Sequence, residues 1–164
     1  MIDNPVPVFA RAMTAFAAVL AKAEAHCVAH KIDPAVMVSM RLFPNMLPLT
    51  RQVQIATDAA KGACARLAGV EVPSMPDDEV TFADLQARLA KTQAFIATLT
   101  REQFVGAATR QVKLRTGGQE HSFTGAAYLA GFAIPNYYFH MTTAYNILRH
   151  NGVELGKMDY LGAP

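Results

Sequence analysis

The stretch VFARAMTAFAAVLAKAEAHC (residues 8–27) sets Phe9, Met13, Phe16, Leu20, Ala23 and Cys27 at spacings that alternate between four and three. That alternation draws one continuous apolar stripe down a helix. Arg11, Thr14, Lys22 and Glu24 lie mostly off it. The same rhythm returns in Leu49, Val53, Ala56, Ala60, Ala63 and Leu67, and again in Phe82, Leu85, Leu89, Thr92, Ile96 and Leu99. It returns a fourth time in Ile134, Tyr138, Met141, Tyr145 and Leu148. Four such stripes are buried most simply against one another, so the sequence predicts a four-helix bundle of the all-α class. An up-down order is the simplest arrangement, and the longer connections permit a crossover.

The punctuation agrees. Asp33-Pro34 reads as an N-cap followed by proline at the first helical position, opening a short helix through Met40. Phe43-Pro44-Asn45-Met46-Leu47-Pro48 breaks the chain, because each proline disfavours a helical residue before it. Gly69 supplies a helix stop, and Thr81 with Asp84 forms a variant capping box. Polar and apolar residues alternate on both sides of Thr116-Gly117-Gly118, which reads as a β-hairpin. Thr124 caps the last helix, which Pro135 is expected to kink or interrupt. The predicted long helices are 5–30, 47–68, 81–100 and 124–150, with the hairpin at 110–123, all in a single domain spanning 1–164.

Composition bounds the partners. The chain has 164 residues, 52% of them apolar, and a formal net charge of +2 with no basic run. This predicts a folded domain without long-range attraction to nucleic acid or anionic lipid. Lys113 and Arg115 on a short hairpin are too few for a nucleic-acid surface. The longest stretch free of strongly polar residues, near Gly125–Pro135, is far short of the roughly 20 residues a membrane span needs. The first residues, MIDNPVPVF, lack the pattern of a secretion signal, so the expected location is the cytoplasm. Cys27 and Cys64 are far apart in apolar helical settings and read as buried thiols.

The chemistry is sparse. Asn136, His140 and Thr143 form a polar row flanking the fourth stripe, with Tyr137 and Tyr145 nearby. Buried polar groups need partners, so the row marks either a hydrogen-bonded core network or a pocket wall. Gln52 lies at the edge of the second stripe. His140, Asn136, Tyr145 and Gln52 are therefore the candidate pocket residues. His26 and His30 stand four apart, a spacing that can share a metal, but the sequence nearby offers no clear third ligand. No nucleophile triad, phosphate loop or zinc-type cysteine cluster is visible.

Several strings occur together: RLFPNMLPL (41–49), QVQIATD (52–58), RLAGV (66–70), PNYYFH (135–140) and TAYNILRHNGV (143–153). The set resembles the DUF1993 family, a domain of unknown function, over almost the whole chain. That family is similar to the DinB/YfiT-like superfamily of four-helix bundles. The resemblance implies a DinB-like bundle with a small hairpin before the last helix. The superfamily often holds a divalent metal with three histidines, one from the second helix and two from an HxxxH pair on the last. Here Ala144 stands four residues after His140, and the second long helix has no histidine. No cofactor is expected; the substitutes for a nonstandard divalent-metal site are His140, His150 and Asp58. Three functions stay open: a bundle with a small-molecule pocket near His140, a metal-dependent hydrolase or transferase, and a non-catalytic dimeric interaction module. A homodimer is the expected assembly.

Overall fold

The computed structural model describes residues 4–162. Helix α1 spans Val6–His30, α2 Pro34–Ser39, α3 Leu49–Ala68 and α4 Phe82–Ala97. A 3₁₀ turn at Arg101–Phe104 follows, then strands β1 (Gln111–Thr116) and β2 (Gln119–Thr124). The last long helix is α5 (Gly125–Tyr128), a π-helical segment (Leu129–Ala133) and α6 (Ile134–His150) in unbroken succession. Helix α7 covers Lys157–Leu161. Each predicted long element is present, with ends shifted by up to three residues.

The predicted caps form. Asp33 accepts from the Ala35 amide at 2.9 Å. The Asp84 amide donates to Thr81 Oγ1 at 3.1 Å, and the Thr81 amide donates to Asp84 at 2.9 Å. Thr124 accepts from the Ala127 amide at 3.3 Å. These bonds satisfy amides that a helix start leaves without partners. The two strands pair antiparallel from Gln111 opposite Thr124 to Thr116 opposite Gln119.

Pro135 interrupts the α geometry of the last helix without ending it: the turn just before it, Leu129–Ala133, is π-helical, and α-helix resumes at Ile134. One expectation needs correction: the simple up-down order fails. Helix α3 packs chiefly on α6 and α4, whereas α1 docks on α4 and α7. The connection from 31 to 48 therefore crosses an end of the bundle rather than forming a hairpin between neighbours.

The first three stripes form the core: Phe9, Met13, Leu20, Leu49, Val53, Leu85 and Leu89 are fully buried. Alanines 56, 60 and 63 on α3 are also fully buried, and their small side chains admit close helix contact. The fourth stripe is rotated relative to its prediction. Tyr137, Met141, Ala144 and Leu148 carry the core contact, while Tyr138 and Tyr145 lie at the flank. Gly125 is needed where the chain enters α5, since a Cβ there would stand 1.9 Å from the Ala107 carbonyl oxygen. Among the described residues, α1 alone is long and apolar enough by composition to cross a membrane; in this fold its stripe is spent on the bundle.

Candidate functional site

Helices α3 and α6 bring Gln52 and His140 together. His140 Nδ1 lies 2.7 Å from Gln52 Oε1. Gln52 is 2% exposed, and its Nε2 donates to the Leu47 carbonyl at 2.9 Å. With the amide nitrogen committed to a carbonyl, the amide oxygen must face the ring. His140 Nδ1 is then the donor, and in the neutral ring Nε2 is the acceptor. Burial lowers the His140 pKa from its ordinary value, which favours that neutral ring. The ring also meets Phe139 edge-on, with centroids 5.1 Å apart.

The other predicted pocket residues divide. Asn136 is half-buried one turn before His140 on the same flank of α6. Thr143 is committed to its own helix, donating to the Phe139 carbonyl at 2.7 Å. Tyr145 does not belong to this site. It donates to the Leu155 carbonyl at 3.3 Å and packs edge-on against Tyr160. Five residues along a helix turn a side chain to another flank, which here is covered by the C-terminal segment.

Asp58 is also elsewhere. It accepts from Arg88 at 2.9 Å and pairs with Lys61 Nζ at 2.9 Å. Arg88 is the polar centre that sequence reasoning missed. Its side chain is 1% exposed, yet it donates to Thr57, the Pro76 carbonyl, Glu79 and Asp58, and pairs with Asp77 at 3.1 Å. Burial disfavours its charge, but the Glu79 hydrogen bond and the surrounding carboxylates outweigh this and raise its pKa. Arg88 thus pins the segment before α4 to both α3 and α4. A signal existed: Arg88 stands in the core register of its helix, three after Leu85 and four before Thr92.

His150 is exposed at the end of α6. The structure therefore does not gather His140, His150 and Asp58. Among the described residues, no three His, Cys, Asp or Glu side chains are placed to hold a metal ion. Cys27 and Cys64 are buried free thiols, and burial pushes Cys64 up to about 12.

This bundle, with a hairpin ahead of its last helix, has a close match among solved structures. A crystal structure of a DinB family member protein from Shewanella denitrificans, at 1.83 Å resolution, matches with a TM-score of 0.92. Its identity is 41%, covering 99% of this chain and 92% of that one. The family model named domain of unknown function (DUF1993) matches residues 1–161, and the chain belongs to the DUF1993 family. No curated protein matches.

The three-histidine ion of the DinB-like group does not fit these residues. The helical partner of His140 is Ala144, fully buried and without a donor atom. The α3 side chain that faces His140 is Gln52, whose oxygen and nitrogen are both engaged.

Proposed function

We propose that this DinB-like bundle binds a small polar molecule at His140, using Nε2 of a neutral imidazole as the recognition atom. The observation that carries the reading is the 2.7 Å contact between Gln52 Oε1 and His140 Nδ1. That contact orients the ring and leaves Nε2 as its acceptor. Phe139, substantially exposed and edge-on to the imidazole, supplies an apolar flank. This combination suits a molecule that presents one O–H or N–H donor on an apolar body. The rival enzyme reading, a metal held by His140, His150 and Asp58, has less support because Asp58 is spent on Arg88 and Lys61.

The test uses phenol as the probe. Titration of histidine-labelled protein followed by NMR should give a saturable shift of the His140 ring signal, lost in Gln52→Leu. No saturable shift, or an equal shift in the variant, rejects the reading.

A specific observation favours a second reading, the homodimer. Phe43 and Leu47, 61% and 42% exposed, stand four residues apart in the proline-bounded break before α3. We propose that a second copy covers them. Sedimentation at micromolar concentration decides: a lone species near 17.7 kDa rejects the dimer.

A further inference from the structure

His26 and His30 lie in the last turns of α1, far in sequence from the α3–α6 seam. Their rings are stacked, with centroids 4.1 Å apart and planes inclined by 28°. His30 Nδ1 is 3.0 Å from the His26 carbonyl oxygen, so it holds the proton and Nε2 keeps the lone pair. The Cε1–Nε2 edge of His26 faces Gly152: a Cβ there would stand 3.8 and 3.9 Å from those two atoms. Gly152, with φ +91°, turns the chain after α6, and buried Val153 anchors that turn against the bundle. The next residue is Glu154, exposed, and it lines one groove of about 420 Å³ with both histidines. The sequence alone offered no third ligand for this pair because Glu154 comes from the far end of the chain.

The donor set is two imidazoles and one carboxylate, a set that suits zinc, nickel or copper. The carbonyl end of α1 favours a cation at this place. Lys22 also lines the groove, but its ammonium is held by Asp159 at 2.6 Å.

We propose that His26, His30 and Glu154 form a surface site for one divalent transition-metal ion, distinct from the His140 site. The two helical histidines provide the rigid half. Glu154 completes it by rotating its exposed side chain, since the three donors do not already converge. Water fills the remaining positions, so the ion is exchangeable and weakly held.

The experiment is calorimetric titration of untagged, full-length protein with nickel chloride in a non-chelating buffer. One ion should bind per chain. His26→Ala and His30→Ala should each weaken binding by at least the roughly tenfold that loss of even a supporting group costs a metal site. Glu154→Gln should weaken it several-fold, and His140→Ala and His150→Ala should leave it unchanged. Circular dichroism confirms that each variant is folded. Absence of saturable binding, binding unaffected by His26→Ala, or loss in His140→Ala would overturn the site. Wild-type affinity in Glu154→Gln would overturn the three-residue form of it.

Discussion

Gln52 and His140 are 88 residues apart in the chain, and their side chains meet at 2.7 Å across the α3–α6 seam. Gln52 is held in turn by the Leu47 carbonyl, in the proline-bounded break that precedes α3. A break, a helix edge and the final helix thus act together on one imidazole. Gln52→Leu should leave both the Leu47 carbonyl and His140 Nδ1 without their protein partner. Stranding such groups costs about 1–3 kcal/mol, to be measured by urea unfolding. A change within about 0.5 kcal/mol, the range of ordinary surface substitutions, would show that the contact orients the ring without supporting the fold.

Leu89 is fully buried in the middle of α4. Leu89→Ala should cost about 2–5 kcal/mol, the usual effect of emptying a buried leucine site. Denaturant unfolding checks it, and a cost typical of a surface position would contradict the packing of α4.

The fold was legible because its evidence is periodic and local. Stripes spaced by threes and fours, Asp33-Pro34, Thr81 with Asp84 and the glycine turn all act within a few residues. The fourth stripe was misjudged because Tyr137 and Tyr138 are both apolar enough to fit a core, and tertiary packing chose Tyr137. The site was only half legible. His140 and Gln52 could each be singled out, but their pairing depends on which face of α3 meets α6. Arg88 escaped because a charge among apolar neighbours looks like an interruption until its carboxylate partners are folded over it. Tyr145 and Asp58 failed for the complementary reason: their partners, Leu155 and Arg88, could not be read from helix periodicity.

Arg88→Met should loosen the segment before α4. Breaking a buried ion pair costs about 3–5 kcal/mol. Asp58 and Asp77 are partly exposed and can recover water, whereas Glu79, its side chain only 9% exposed, cannot, so the loss should fall within that range. Hydrogen exchange should accelerate in residues 76–80 before it does in α1. Exchange that rises uniformly, or not at all, would contradict the pinning role of Arg88.

Acid should act on the same segment. Burial pushes the Asp77 carboxyl up, but the hydrogen bonds and charges of Arg51 and then Arg88 outweigh this and hold it below the ordinary value of 3.8. A carboxyl depressed in the folded state contributes its full stability above the unfolded pKa and loses it as pH falls through the folded one. The Asp77 contribution should therefore be flat from pH 7 to about 5 and decline below about pH 4. Unfolding curves of wild type and Asp77→Asn should converge in that acid range. A constant difference down to pH 2 would contradict the pairing.

Nitrogen NMR of the His140 ring is the most direct measurement of the central claim. The ring should be neutral at pH 7, with the proton on Nδ1 and Nε2 unprotonated. Because burial lowers its pKa, protonation should occur below the ordinary value of 6.5. A proton on Nε2 in the neutral ring, or titration above 6.5, would contradict the account of a Gln52-oriented acceptor.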